Sequence, residues 1–148
     1  MQPMQPMKPT VFSMQRLLFL LLPLVLLAVL AGCENKRDSS DLAGQWQLLE
    51  WRDASGKTVG TKEDGIYYCF QLSLLELDAT RYCKYQQTPD SLILQGAYKN
   101  MYNTDTPVAF TEFAHFGIPQ DGRFGIDALN GDDLVLSGKS GVLRFRRY

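Results

Sequence analysis

Turn-forming residues interrupt the chain at short intervals from residue 54 onward, and this spacing constrains the fold more than any other feature. Such clusters stand at 54–56, 63–65, 89–90, 120–122 and 130–132, and each contains Gly, Pro or Asp, which accept turn geometry. The segments between them lack a sustained 3.6-residue apolar period and carry many aromatic side chains. This part of the chain is therefore expected to form many short β-strands.

The segments between the turns alternate apolar and polar side chains, as strands with one buried face do. In the last segment, Leu143 and Phe145 alternate with Arg144 and Arg146. The alternation and the turns together predict strands at 44–53, 66–77, 80–87, 91–97, 108–114, 122–129, 133–137 and 142–147.

Short connections between these strands predict an all-β fold of antiparallel neighbours, because parallel pairing needs crossovers of about a dozen residues or more. Eight strands in a meander close most simply as an eight-stranded antiparallel up-and-down barrel, which leaves no strand edge exposed. One face of the second strand is expected to line the barrel, with Tyr68, Phe70, Leu72 and Leu74. These side chains either surround a ligand or fill a small barrel, and filling is the favoured reading.

The N-terminal part of the chain differs from the rest and has the features of a secretory signal. Residues 17–30 are apolar, Lys8 and Arg16 precede them, and no acidic residue occurs up to position 32. The apolar run is shorter than the ~20 residues of a membrane-spanning helix. We therefore expect residues 1–32 to be a cleaved signal peptide. A start of translation at Met14 instead of Met1 would give it a more ordinary length.

The cleavage site predicts a covalent lipid. Residues 30–33 read Leu-Ala-Gly-Cys, which resembles the lipobox of bacterial lipoproteins. The resemblance implies that Cys33 carries a diacylglyceryl group and an acylated amino terminus; several chains are needed, because each buried CH₂ contributes only about 0.8 kcal/mol. The alternative is an uncleaved membrane anchor with a chance cysteine. Polar residues follow, so we expect a tether at 33–41 and a barrel domain at 42–148.

The first predicted strand resembles the opening of lipocalin-like barrels, whose signature is Gly-x-Trp and here is Gly44-x-Trp46. In those barrels the Trp closes one end, and an Arg near the end of the last strand packs over it. The resemblance implies these roles for Trp46 and Arg147, with Arg146 as the second choice, because Arg147 shares the apolar face of its strand. A cation over an indole stabilises by about 0.5–2 kcal/mol.

The mature chain as a whole is similar to small lipocalin-like lipoproteins of Bacteroides and related bacteria. Besides Cys33 and the Gly44-x-Trp46 strand, the similarity rests on segments at 67–72, 90–94, 103–108, 134–136 and 143–148. The resemblance implies a fold and a compartment, but no particular ligand.

Few residues of the types that act in catalysis or bind metals occur in recognisable motifs in this sequence. His115 is the only histidine, and Cys69 and Cys83 lack the spacing of metal ligands. No nucleophile elbow, paired-histidine zinc motif or phosphate loop occurs. The 15 Lys and Arg residues against 16 Asp and Glu give no nucleic-acid footprint. We therefore expect a protein without enzyme activity, metal, cofactor or nucleic-acid partner.

Cys69 and Cys83 could form a disulfide in an oxidising envelope. A two-residue turn at 78–79 would instead pair Leu74 with Cys83 and put the two thiols on opposite faces, roughly 16 Å apart along the hairpin. A disulfide needs Cα atoms within about 7 Å. Two free thiols are the favoured reading, and the disulfide stays open.

These features predict a monomeric, lipid-anchored envelope lipoprotein whose barrel binds a small apolar ligand or a protein partner. An envelope protease inhibitor and a structural accessory lipoprotein are the alternatives. The polar segment 99–107 is the first place to seek partner contacts, because loops often carry binding. Residues 34–37 after Cys33 lack the clustered acids that resemble a surface-export signal. We therefore expect the outer membrane, on its periplasmic face.

Overall fold

The computed structural model describes residues 2–4 and 41–148 of this chain. The expected signal peptide at 1–32, the lipidated Cys33 and nearly all of the tether lie outside the described residues. Within the described ranges, the structure contains no helix with the length and apolar character that a bilayer crossing requires.

The described domain consists of antiparallel strands and two short 3₁₀ helices. They are β1 (Gly44–Arg52), β2 (Thr58–Thr61), η1 (Lys62–Asp64), β3 (Tyr67–Gln71), β4 (Leu74–Glu76), β5 (Arg81–Gln87), β6 (Ser91–Met101), β7 (Thr104–Val108), η2 (Phe110–Phe116), β8 (Arg123–Leu129), β9 (Asp133–Gly138) and β10 (Gly141–Arg147).

Pairing of the first and last strands closes the sheet into a barrel. The strands pair in the order β1-β3-β4-β5-β6-β8-β9-β10, and β10 returns to β1 with Trp46 opposite Arg147 and Trp51 opposite Leu143. The short strands β2 and β7 pair with β1 and β6 outside this circuit. The expected closed, eight-stranded antiparallel barrel is therefore confirmed.

The predicted strand 66–77 is wrong, because the chain reverses direction in its middle. Leu72 adopts a positive φ of 55°, and the tight turn it forms with Ser73 joins β3 to β4. The Tyr85 hydroxyl donates a hydrogen bond of 3.0 Å to the Leu72 carbonyl and holds the turn. Leu72 is not a usual turn former and Ser73 is the only turn-favouring residue of the pair, so the sequence signal for this reversal was weak.

The predicted strand 108–114 is also wrong, since residues Phe110–Phe116 form the helix η2. Phe110, Phe113 and Phe116 recur every third residue, which puts them on one side of a helix with three residues per turn. The polar segment 99–107 is not a loop but the tip of the β6–β7 hairpin. Its turn residues, Tyr102 and Asn103, have φ values of 55° and 61°.

The hydrophobic core lies inside the barrel and beneath η2. Alternating residues of the eight barrel strands point inward, and the largest of them are aromatic. The fully buried large side chains are Trp46, Tyr68, Phe70, Phe113, Phe145, Leu42, Leu48, Leu75, Leu92, Ile118, Leu134 and Leu136.

Candidate functional site

The lower end of the barrel, where β1 begins and β10 ends, is closed by a buried indole. Trp46 is fully buried, and its Nε1 donates a hydrogen bond of 2.8 Å to the carbonyl of Leu42, which is also fully buried. The structure places Arg147 over Trp46, with the guanidinium carbon 4.3 Å from the ring centroid. Arg146, the second choice, points elsewhere and donates to Gln47 Oε1 at 3.0 Å.

The interior contains the first two of the four lining residues that the sequence predicted. Tyr68 and Phe70 are buried, but Leu72 is 66% exposed in the turn, and Leu74 is only half-buried. The predicted lining by Leu72 and Leu74 is therefore wrong. The unexpected reversal shifts the alternation by one residue, so Leu75 points inward instead and pairs with Cys83.

Aromatic rings pack against one another across the interior. The centroid of the Tyr68 ring lies 4.6 Å from that of Phe145 and 6.2 Å from that of Phe70. Phe70 in turn meets the Tyr85 ring edge-on at 5.2 Å. Burial raises the pKa of the Tyr68 hydroxyl well above its ordinary value, so this side chain stays neutral. These rings fill the space that a wider barrel offers to a ligand.

The upper end of the barrel is covered by η2 and the residues after it. The Tyr68 hydroxyl donates a hydrogen bond of 2.9 Å to the carbonyl of Phe116, which ties η2 to the centre of the barrel. Ser140 Oγ donates to the Gly117 carbonyl at 2.7 Å, and Trp51 Nε1 donates to the Ser140 carbonyl at 2.7 Å. Both ends of the barrel are thus covered by side chains or by the chain itself.

A groove lies outside the barrel, over the upper halves of β1, β9 and β10. This groove, called the β1–β10 groove below, has a volume of about 640 Å³. Its walls include Glu50, Arg52, Asp53, Gly138, Val142 and Arg144.

The charged side chains of the β1–β10 groove differ in how they are paired. Arg52 Nε donates to Glu50 Oε1 at 2.9 Å. Hydrogen bonds from Ser55 and from the Lys57 backbone lower the pKa of Asp53, whose carboxylate is occupied in its own turn. Arg144 makes no hydrogen bond or ion pair with another described residue. It is therefore the groove's available cation.

A glycine shapes the upper end of the same groove. Gly141 has a φ of 109°, and a Cβ there would lie 1.9 Å from the Arg52 carbonyl oxygen. Only glycine lets β10 approach β1 this closely. The exposed Val142 follows Gly141 and contributes apolar surface between Arg52 and Arg144. The groove thus combines an apolar wall with one unpaired positive charge.

The cysteines and the histidine form no reactive site in the described part of the chain. Cys69 and Cys83 are free thiols on opposite faces of the sheet, and Cys83 is buried. Burial raises the pKa of the Cys83 thiol to about 12, which suppresses its thiolate. His115 is exposed on η2, where its ring lies 3.9 Å from that of Phe116. No group of three potential metal ligands occurs among residues 2–4 and 41–148.

Comparison with known proteins assigns the family. The model of a family described as "Lipocalin-like domain" matches residues 27–148. The chain belongs to this lipocalin-like domain family. The resemblance inferred from the Gly44-x-Trp46 strand is thereby confirmed.

Two solved structures are similar to this lipocalin-like domain. One is a lipocalin-like protein from Bacteroides uniformis ATCC 8492, with 24% identity, coverage of 74% of this chain and 100% of that chain, and a TM-score of 0.49. The other is an uncharacterised protein from Bacteroides eggerthii DSM 20697, with 23% identity, coverage of 72% and 99%, and a TM-score of 0.48. A comparison with curated proteins gave no significant match.

Sequence reasoning did not find the β1–β10 groove. Its residues come from β1, from the turn after β1 and from the β9–β10 hairpin, so they are far apart in the sequence. Arg144 looked like an ordinary outward-facing residue of the last strand. Only the closure of β10 onto β1 brings it beside Glu50, its partner in the ladder.

Proposed function

We propose that this lipocalin-like protein is a lipid-anchored binding protein of the cell envelope. In this proposal Cys33 carries the lipid, and the domain stays close to the periplasmic face of the outer membrane. The lipobox-like sequence at 30–33 supports the anchor. The short polar segment that follows spans at most about 3.5 Å per residue, which supports a position close to the membrane. The role assigned is binding, not catalysis.

We further propose that the bound molecule is small and amphipathic and that it lies in the β1–β10 groove. The observation that carries this proposal is the packing of Tyr68, Phe70 and Phe145 across the interior, beneath the cover of η2. A filled interior directs binding to the outer surface. A volume of about 640 Å³ falls within the range of roughly 300–1,000 Å³ that ligand pockets occupy.

The chemistry of the groove suggests which ligand fits. Val142, Gly138 and Gly141 offer apolar contact, and Arg144 offers an unpaired guanidinium at the same wall. A guanidinium binds carboxylate and phosphate groups through paired N–H donors. The favoured ligand is therefore an apolar molecule with one acidic group.

A protein partner is the second candidate, and the β6–β7 hairpin favours it. At its tip Tyr102 is 95% exposed and Met101 is 55% exposed, which is a large apolar surface for a turn. Aromatic residues and methionine are common in the centres of protein interfaces. Under this candidate, the hairpin tip and not the groove would be the binding surface.

Native mass spectrometry of the protein purified from its own cells tests the two candidates. We expect the wild type to retain a small acidic molecule, and Arg144→Ala to lose it. Arg123→Ala is the matched control, because Arg123 is an exposed arginine outside the groove. Retention of the same molecule by Arg144→Ala contradicts the groove proposal. A retained protein that Tyr102→Ala releases supports the second candidate instead.

The anchor has a separate test. We expect radiolabelled palmitate to label the wild type and to fail to label Cys33→Ser, which should leave the membrane fraction. Cys69→Ser is the control and should keep the label. A labelled Cys33→Ser variant contradicts anchoring at this residue. Removal of the domain by protease added to intact cells contradicts the periplasmic face.

A further inference from the structure

A second groove lies on the opposite flank of the outer surface, over β4 and β5. It has a volume of about 340 Å³ and is lined by Leu74, Glu76, Asp78, Tyr82, Asn100 and Asp105, among others. We call it the Tyr82 groove. It shares no lining residue with the β1–β10 groove.

The pairing register puts Tyr82 between an aromatic ring and a carboxylate. On one side Tyr82 is opposite Tyr98 of β6, and on the other side it is opposite Glu76 of β4. Residues opposite one another in a ladder have Cβ atoms about 4.5–5.5 Å apart and project from the same face. Glu76 and Tyr98 are therefore the immediate neighbours of the Tyr82 ring.

One face of the Tyr82 ring is covered, and the other borders the groove. The rings of Tyr82 and Tyr98 are stacked, with centroids 5.2 Å apart and an angle of 15° between their planes. Tyr98 does not line the groove, whereas Tyr82 and Glu76 do. The ring face directed at the groove is therefore the one on the Glu76 side.

Carboxylates outnumber cations around this ring face, since three of them line the groove, against Arg81 and Lys84, the latter opposite Leu74 in the ladder. Asp78 forms an ion pair with Arg81, so these two charges balance. Glu76 makes no hydrogen bond or ion pair with another described residue. Asp105 accepts a hydrogen bond of 2.8 Å from Asn100 Nδ2 but makes no ion pair within residues 41–148. Two carboxylates that form no ion pair thus flank the groove, and the Lys84 ammonium beside them lies over the Tyr98 ring.

A cation of the domain already lies over one tyrosine ring of this surface, that of Tyr98. The Lys84 ammonium lies 5.0 Å from the centroid of the Tyr98 ring, within the ~6 Å range of cation–π attraction. No described residue places a cation over the Tyr82 ring. Burial, a hydrogen bond from the Tyr82 hydroxyl to Asp105 and the charge of that carboxylate raise the pKa of the hydroxyl, so the ring stays a neutral phenol at physiological pH.

We propose that the Tyr82 groove is a binding site for a small organic cation, whose alkylated ammonium group lies between the Tyr82 ring and the Glu76 carboxylate. A ring face attracts such a group through its quadrupole, and the carboxylate adds charge. The methyl or methylene groups of the cation contact Leu74 at the floor. This site is independent of the ligand proposed for the β1–β10 groove.

Calorimetric titration of the full chain in detergent with choline tests the proposal. We expect saturable, millimolar binding of choline, and binding about tenfold weaker for 3,3-dimethyl-1-butanol, its neutral isostere, since a cation–π contact contributes about 0.5–2 kcal/mol. Equal binding of the two probes, or no saturable binding of choline, overturns the proposal. A peptide with one trimethyllysine serves as a second probe. If this peptide binds more tightly than choline, the natural cation is the modified side chain of a protein partner. If it binds more weakly, the natural cation is a free small amine.

Variants locate the site. Tyr82→Leu and Glu76→Gln should each weaken choline binding about three- to tenfold, whereas Tyr82→Phe keeps the ring and should keep most of the affinity. Asp133→Asn is the control, because Asp133 is exposed at the start of β9 and does not line the groove. If Tyr82→Leu fails to fold, Glu76→Gln carries the test, since Glu76 is exposed. Unchanged binding in Glu76→Gln, or an equal loss in Asp133→Asn, overturns the proposal.

Discussion

The guanidinium of Arg147 lies 4.3 Å from the centre of the Trp46 ring and also binds three backbone carbonyls. It donates to Ala43 at 2.7 Å, to Asp41 at 2.9 Å and to Gly131 at 2.5 Å. One side chain thus joins the segment before β1, the indole at the lower end and the β8–β9 turn. This part of the barrel therefore depends on a side chain of β10.

Removal of Arg147 should destabilise the domain. Arg147→Ala loses the cation–π contact and the carbonyl hydrogen bonds, and we expect the free energy of unfolding in urea to fall by about 1–3 kcal/mol. The matched control is Arg123→Ala, whose exposed side chain makes no hydrogen bond or ion pair with another described residue. It should change stability by less than about 0.5 kcal/mol. Equal losses in the two variants would contradict the role of Arg147.

Leu75 and Leu72 should respond very differently to truncation, although they are three residues apart. Leu75 is fully buried and Leu72 is 66% exposed. Leu75→Ala leaves a cavity and should cost about 2–5 kcal/mol of unfolding free energy, whereas Leu72→Ala should cost less than about 0.5 kcal/mol. Urea denaturation followed by circular dichroism measures both. The opposite ranking would restore the uninterrupted strand that the sequence suggested.

The two thiols of the barrel should react at different rates. Burial raises the pKa of Cys83 to about 12, and burial together with the Glu76 charge raises the pKa of the half-buried Cys69 by less. Because the thiolate is the reactive form, we expect iodoacetamide at pH 8 to modify Cys69 first and Cys83 only after denaturation.

A single variant checks this assignment of the thiols. Cys69→Ser should abolish the fast phase of alkylation and leave the slow one. Denatured lipidated protein should contain two free thiols, and a count of zero would reveal a disulfide instead.

Acid should destabilise the domain through carboxyl groups in its turns. Hydrogen bonds from Thr88 and Ser91 lower the pKa of Asp90, and those from Lys139 and the Arg123 backbone lower that of Asp121, where burial opposes them. A carboxyl whose pKa is lower in the folded than in the unfolded state stabilises the fold above its unfolded pKa, and this stability is lost as the pH falls.

Thermal unfolding against pH measures this loss. We expect the midpoint to be constant between about pH 5 and 8 and to fall below about pH 4, where unfolded carboxyl groups bind protons. Asp90→Asn removes one titrating group and should have a smaller drop between pH 5 and pH 3 than the wild type. A midpoint that rises on acidification would contradict the sign of these shifts.

Several elements followed directly from local sequence patterns. The alternation of Leu143 and Phe145 with charged residues correctly indicated β10, and the turns at 120–122 and 130–132 delimited β8. The Gly44-x-Trp46 motif indicated both the family and the start of the barrel. Each of these signals is contained in a few neighbouring residues, so no tertiary information was needed to read them.

The errors occurred where local and tertiary preferences disagree. Leu72 is an unfavourable residue for a positive φ, and the hydrogen bond from Tyr85 to its carbonyl helps to hold it there. The Phe110–Phe116 segment resembled a strand because of its aromatic content, yet it covers the upper end of the barrel as a helix. Its three-residue phenylalanine spacing was the only sequence signal for this outcome.

The sequence by itself determined an all-β fold of antiparallel strands, because period-2 alternation between closely spaced turns is typical of a sandwich or a barrel. The pairing of β10 with β1 closes the sheet into a barrel. Only the tertiary structure decided which side chains line the interior, since one unexpected reversal shifts every later residue of a strand to the other face. It also decided which side chains meet in the two proposed binding grooves. Arg144 and Glu50, like Tyr82 and Glu76, become neighbours only through pairing between strands.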